Sequence, residues 1–426
     1  MKKQKQFIGV LISTLLFGSL NAQEVYVGTQ IRPRAEFRNG YRTLVPEKSL
    51  PIDTIKPSIF VSQRSRVWLR VKDEKNKFEA KVSIQDVRVW GETPQLGDVA
   101  SLALHEAWLK IWLSPKVIIK TGRQELAYDD QRLLGSVNWT QMARQHDALL
   151  IQLRPQFAKI DLGFAYNNSS PSIWGTLYRI PGYKALAFIW IHKSINDVKV
   201  SLYGISDGFE TPLGKVIFRY TTGPHISFKH DNIFGTLSYY HQLGTTTSGQ
   251  NINAFLASVQ IGLKIAKLTL SIGSDYLSGD DARDTTRFNS ELRTFHTLYA
   301  TNHKFYGHMD YFLNIPVDTR RGGLHDSYLK ISYKFSEKFS SYLHGHYFLL
   351  PGAVATSSGF VSGPLGTEAD LGITYKISQA LTLKSGYSLM LPTKTMEAIK
   401  GGIAVPGHWV WIMINLKPEY LVWSRQ

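Results

Sequence analysis

Arginine is the residue type in this sequence best placed to do chemistry, and the arginines recur at a telling interval. Arg32 and Arg34 stand two apart, as do Arg64 and Arg66, with Arg70 following four residues later. In an extended chain a step of two returns a side chain to the same face. Each segment therefore presents a row of guanidinium groups to one side. A guanidinium keeps its charge and meets a carboxylate through two parallel hydrogen bonds, so the rows point to binding or guiding anions. Arg88, Arg123 and Arg132 extend the set, with Glu36, Asp86, Glu125, Asp129 and Asp130 interspersed. The acids would hold the arginines in position and keep an anion from binding so tightly that it stalls. The plainer reading is mutual neutralisation on a wetted surface. Exposed ion pairs are worth only ~0–1 kcal/mol each, so stability alone explains a dense array poorly.

The stretch Lys120–Asp147 concentrates both signs of charge around Trp139. It is predicted to begin as a strand, Lys116–Gln124, and then to break into a long loop, Glu125–Arg144, that folds back toward the lumen as the candidate constriction. Other constellations carry less. His344 and His346 share one face of one strand, but no third metal ligand is evident. Asp280, Asp281 and Asp284, or Asp129 with Asp130, offer oxygens for Ca²⁺ without an EF-hand spacing. Ser136, His146 and Asp147 are residue types of a hydrolase, yet adjacency in sequence says nothing of triad geometry. No cofactor, no resident metal and no catalysis are expected.

The elements that must position these groups alternate strictly. In Val25–Arg38, Val25, Val27, Ile31 and Ala35 share one face and Gln30, Arg32, Arg34 and Glu36 the other. Phe60–Lys72, Lys77–Gln85 and Glu106–Leu113 repeat the pattern. A period of two, with one apolar and one charged face per strand, fits a sheet between lipid and water. Mean hydropathy is −0.15, which hides such strands from hydropathy averaging. The most apolar run, Ala185–Ile191, is far short of the ~20 residues of a spanning helix.

Residues 1–22 read as a secretory signal, with Lys2, Lys3 and Lys5 before an apolar run and Ala22 at the cut. Residues 23–426 are expected to form a single domain. Cysteine is absent and the formal net charge is +16. Disulfides are thus excluded, and export removes nucleic acid as a partner. Short links (Asp73–Asn76, Ser114–Pro115, Pro155–Ala158) alternate with long ones (Asn39–Ile59, Trp90–Ser101, Glu125–Arg144, Pro351–Thr367, Pro392–Pro406). Outer-membrane barrels keep tight turns on the periplasmic side and long loops outside, with even strand numbers. Parity holds only if Lys304–Leu313 is not a strand but part of one excursion, Ser278–Gly322, packed on the lumen or mouth. The prediction is an all-β, transmembrane antiparallel barrel of eighteen strands.

The run TGRQELAYDDQRLLGSVNWTQMARQHDA (Thr121–Ala148) resembles the hallmark of the alginate export family of outer-membrane barrels, in its Bacteroidetes-type version. QDVRVWGE (Gln85–Glu92), DYLSGDD (Asp275–Asp281), LYATNHKFYGHMDYF (Leu298–Phe312) and IRPRAEFRNGYR (Ile31–Arg42) spread the resemblance over nearly the whole chain. It implies an eighteen-strand barrel whose electropositive, arginine-lined constriction passes an anionic polymer. A departure is the end of the chain, where His408–Leu416 is followed by KPEYLVWSRQ rather than closing on an aromatic residue. The expected function is an outer-membrane channel for anionic solutes or anionic polysaccharide, touching lipid and lipopolysaccharide; periplasmic partners are not readable. The alternatives are a general diffusion porin with modest anion preference, a surface adhesin, or an outer-membrane enzyme.

Overall fold

A computed structural model of the chain describes residues 22–46, 56–73, 77–97 and 99–424. Residues 1–21 of the expected signal segment, the centre of the first long loop and residues 74–76 of the first short turn lie outside the described residues. Eighteen antiparallel strands close into a barrel, each bonded to its neighbours in the chain: β1 Ala22–Asn39, β2 Ser58–Asp73, β3 Phe78–Val89, β4 Leu102–Ser114, β5 Val117–Gln124, β6 His146–Leu153, β7 Lys159–Tyr166, β8 Ala185–Ile195, β9 Val198–Glu210, β10 Val216–His230, β11 Ile233–Thr245, β12 Asn251–Ile265, β13 Leu268–Leu277, β14 Leu324–Lys334, β15 Phe339–Thr356, β16 Gly359–Lys376, β17 Leu381–Pro392 and β18 Gly407–Leu416. β18 closes the sheet on β1, with Ile31 opposite Leu416 and Asn39 opposite His408. Closure leaves no free edge, which is how a sheet satisfies its backbone groups in lipid.

The final residues are a continuation of β18. Pro418, which has no N–H to give, interrupts the ladder, and Glu419–Ser424 resumes pairing along Glu24–Gly28 of β1. Both ends of the described chain, at Ala22 and Ser424, thus lie with the tight turns on the side taken as periplasmic.

Alternation sets the two faces. Outward residues such as Ile31, Val67, Ile261 and Ile272 are 43%, 48%, 52% and 61% exposed, while inward Gln30, Arg32, Arg64 and Ser258 are buried. A bare apolar outer wall suits lipid. Among the described residues no helix is long and apolar enough to cross a membrane.

The expected excursion is real. Between Leu277 and Leu324 the chain forms no barrel strand and enters the barrel, with a short helix α1, Thr285–Ser290, and a two-residue bridge of Glu291–Leu292 to β12. Phe295, Tyr306, Met309, Tyr311, Phe312 and Ile315 are all buried, Phe312 against Phe348 at 4.9 Å. Each such burial contributes about 1.5–3 kcal/mol. A second helix, α2 Lys394–Lys400, caps the same region with Met396 and Ile399 inward. Lys304–Leu313 (KFYGHMDYF L) is not a strand because its aromatics face other aromatics inside the lumen rather than lipid on one side. One expected loop is absent: Pro351–Thr367 is mostly strand, since β15 and β16 run on to a tight turn at residues 357–358, with register shifts absorbed near Leu349 and Leu350.

Candidate functional site: a loop riveted to the arginine rows

The loop between β5 and β6, residues 125–145, bends into the barrel and meets the excursion through a parallel bridge of Leu134 to Tyr299. Leu126, Leu133 and Leu134 are buried there. Four residues without glycine's freedom, Asp129, Gln131, Val137 and Ala143, have φ of +46°, +71°, +50° and +60°. Such left-handed residues cost about 1–3 kcal/mol each and persist only where surrounding contacts hold them.

The arginine rows supply those contacts. Arg32 and Arg64 stand directly opposite each other on β1 and β2. Arg32 donates to the carbonyls of Asn138 (2.8 Å), Trp139 (3.2 Å) and Thr140 (2.8 Å), and twice to Gln141 Oε1 (3.0 and 2.8 Å). Arg34 reaches the Trp139 carbonyl at 3.0 Å, lies 4.5 Å from its ring centroid and pairs with Glu36 at 2.8 Å. Arg64 donates to the Gln141 carbonyl at 3.4 Å and to Gln30 at 2.9 Å; its Nε has no partner. Arg66 holds Gln85 at 2.7 and 3.2 Å. Gln141 returns hydrogen bonds to the Arg32 and Ser62 carbonyls at 3.3 and 3.2 Å. Trp139, expected to fasten the loop, stacks on His303 of the excursion at 4.6 Å and meets Trp411 edge-on at 4.9 Å.

The electrostatics divide the set. Arg34 and Arg38 share Glu36, and Arg70 pairs with Glu419 and Glu79 at 2.5 and 3.5 Å. Arg32, Arg64 and Arg66 bond only to neutral carbonyl and amide oxygens, with no carboxylate within pairing distance among the described residues. Arg32 donates from all three of its nitrogens, Arg64 and Arg66 from two each, and none of the three is directly ion-paired among the described residues.

The remaining sequence-derived residues fall in three places. Arg132 is buried inside the loop, bidentate to Asp275 at 2.7 and 3.0 Å, bonded to Asp130 at 2.9 Å and packed over Phe305; the two carboxylates hold its guanidinium well above its usual pKa despite burial. Asp129 accepts from Trp190 and Ser201, anchoring the loop to β8 and β9. Glu125 faces inward beside His105 at 3.1 Å. Arg88, Asp86 and Arg123 are corrections. Asp86 lies opposite Ser65 and Arg88 opposite Gln63, on the face alternate to Arg64 and Arg66; Arg123 lies opposite Ala107 and Asp147, alternate to inward Gln124 and His146. All three therefore face outward, as the pairs Arg88–Asp86 (2.6 Å) and Arg123–Asp147 (2.8 Å). Counting in steps of two from Ile84 along β3 would have found this for Asp86 and Arg88.

The minor constellations are occupied structurally. Asp147 points outward and His146 inward, where its Nδ1 meets Tyr183 at 2.8 Å, while Ser136 bonds within its own loop to Gln131. Asp280 takes Arg321, Thr294 and the Arg293 amide, Asp281 takes Arg283, and Asp284 caps α1. His346 bonds both oxygens of Asp326 at 3.0 Å, and His344 packs on His308. A group the sequence did not single out is the lysine–tryptophan wall of β4 and β5, where Lys120 lies 4.2 Å from the Trp108 ring centroid and Lys110 lies 4.4 Å from that of Trp112.

Residues 26–164 match the alginate export family. No curated protein matches the chain by sequence. Among solved structures, Acinetobacter baumannii OccAB1 superposes with a TM-score of 0.65 at 11% identity, covering 93% of this chain and 97% of that one. OccAB4 of the same organism gives 0.63 at 12%, covering 94% and 100%. The outer membrane protein OpdK of Pseudomonas aeruginosa, also solved with vanillate, gives 0.61 at 9%, covering 93% and 99%. With its closed eighteen-strand wall, apolar outside and inward-folded loops, the chain has the β-barrel fold of the outer-membrane porins, and its residues 26–164 are similar to the alginate export family.

Proposed function

We propose that the barrel is a channel for anions, passing anionic solutes or the residues of an anionic polysaccharide, with residues 1–22 removed on export. The observation that carries this reading is the un-neutralised trio Arg32, Arg64 and Arg66, 5%, 0% and 8% exposed, behind the riveted loop. Neutral acceptors take part of the donors of these groups, no carboxylate pairs with them directly, and their positive charge is left beside the inward-folded loop. An anion ~6 Å from one such charge at an effective dielectric constant of ~20 gains about 3 kcal/mol before its own desolvation. Cations are repelled to the same extent, the principle by which charged rings select ions in pores. Arg70, Arg132, Asp129 and Asp130 keep wall and loop in place, and Glu36 neutralises one edge of the row. The family match over residues 26–164 supports passage of an acid polysaccharide, and the vanillate complex of OpdK supports a small carboxylate.

The zero-current potential of the full-length barrel in a planar bilayer under a KCl gradient tests the reading. A potential of the sign set by chloride is expected; one set by potassium would overturn it.

A further inference from the structure

Below the riveted loop, on the periplasmic side, the lumen holds a cavity of about 460 Å³ lined by Trp108, Lys110, Lys120, Tyr128, Lys159 and Trp190 together with four carboxylates. Each carboxylate has a partner, an arginine for Glu79 and Asp161 and neutral or histidine donors for Asp129 and Glu125. Glu79 faces Arg70 at 3.5 Å, and Glu125 meets His105 at 3.1 Å. Asp129 takes Trp190 and Ser201, and Asp161 takes Arg154 at 2.6 Å, Gln152 and Tyr128. The lysines differ. Among the described residues no carboxylate lies within pairing distance of Lys110, Lys120 or Lys159, and the first two rest on tryptophan faces. Gly122, opposite Trp108 on β5 with φ of +113°, keeps this wall tight: a Cβ there would lie 2.2 Å from the Ala107 carbonyl.

Resting on the reading of the lumen as an anion path, we propose that this cavity is a binding subsite for a ring that carries a carboxylate. The carboxylate would take the ammonium groups of Lys110 and Lys120, which have donors to spare, and the ring would lie against Trp108 or Trp190. Arg32 cannot play this part, since the donors of all three of its nitrogens are committed to the loop. A uronic acid unit of a polymer and a simple aromatic acid share this chemistry, and they are told apart by experiment.

The test is block of single-channel current by D-glucuronate and by benzoate added from the periplasmic side, with D-glucose as the neutral control. The subsite predicts block by at least one acid and none by glucose. Block by glucuronate alone assigns the sugar acid; block by benzoate alone assigns the aromatic acid. Lys120→Gln and Trp108→Leu each raise the blocking concentration about tenfold, and Trp108→Phe, which keeps a ring, recovers most of it. Glucose blocking as well as glucuronate, or block unchanged in Lys120→Gln, overturns the subsite. A chloride-selective barrel that neither acid blocks sinks the subsite and leaves the channel reading standing. A barrel blocked by an acid but not chloride-selective sinks the channel reading alone.

Discussion

The lumen holds two basic regions built on opposite terms. In the upper one, on β1 and β2, the guanidinium groups of Arg32, Arg64 and Arg66 spend their hydrogen bonds on the carbonyls and amides of loop 125–145 and the wall. In the lower one, on β4 and β5, Lys110 and Lys120 lean on tryptophans and keep their donors. Charge and hydrogen-bonding capacity are therefore separable. On the proposed reading the arginines would act on a passing anion through their field while they grip the loop, and the lysines would touch it. Arginine's planar fork suits the first task, because several carbonyls can be gripped at fixed angles, and the compact mobile ammonium suits the second.

The largest effect expected is on the size of the passage. Replacing residues 279–322 by a short glycine–serine link removes the buried aromatics of the excursion, and single-channel conductance should rise several-fold. Unchanged conductance would mean that the ion path avoids the excursion, and both basic regions would need re-siting.

Acid should approach the same opened state. Burial, with the nearby positive charges of Arg219 and Arg144, pushes His296 down to about 3. Burial, only partly opposed by Asp370, pushes His308 to about 4. Both are depressed relative to the undocked value of 6.5, so the docked excursion binds fewer protons than a released one. The stabilisation is complete above the undocked value and is lost as pH falls toward the docked values. Each histidine then costs several kcal/mol, at 1.36 kcal/mol per unit. Conductance and protease access to the excursion should increase below about pH 5; a flat profile from neutrality to acid would exclude this coupling.

Gln141→Ala separates grip from charge. It removes two of Arg32's five acceptor contacts and the loop's own bonds to the wall, a cost of about 1–3 kcal/mol. Noisier currents and faster cleavage within residues 137–143 are expected, with anion preference retained. Arg88→Ala and Arg123→Ala should do least, leaving both stability and selectivity close to those of the unaltered barrel, since exposed ion pairs contribute little. A shift in selectivity from either would contradict their outward placement.

Much of the scaffold was legible because a barrel writes itself twice, in a period-two pattern and in alternating turn lengths. Parity demanded that Lys304–Leu313 not be a strand, and the aromatics of that segment are inside the plug. The same rules misread Pro351–Thr367, since proline and glycine in a β15–β16 hairpin are tolerated where register shifts absorb them. The site was half legible. Two-residue spacing put Arg32, Arg34, Arg64 and Arg66 on one inner face, but which loop would occupy their donors depends on contacts more than a hundred residues away in one case, Arg32 to Gln141. Arg123 is the next-to-last residue of β5, one step from inward Gln124, so the period of two sets it outward opposite Asp147 and away from the other arginines. The lysine wall went unmarked because its significance lies in what is missing, a carboxylate partner, and pairing is a tertiary fact.

The most direct test of the account exchanges charge for a neutral amide in each region and reads ion selectivity. Arg32→Gln, Arg64→Gln and Arg66→Gln together are set against Lys110→Gln with Lys120→Gln, each by zero-current potential in a KCl gradient. The account predicts that the arginine triple loses most of the chloride preference, roughly threefold to tenfold, while the lysine pair keeps most of it. Chloride preference surviving intact in the arginine triple would contradict it.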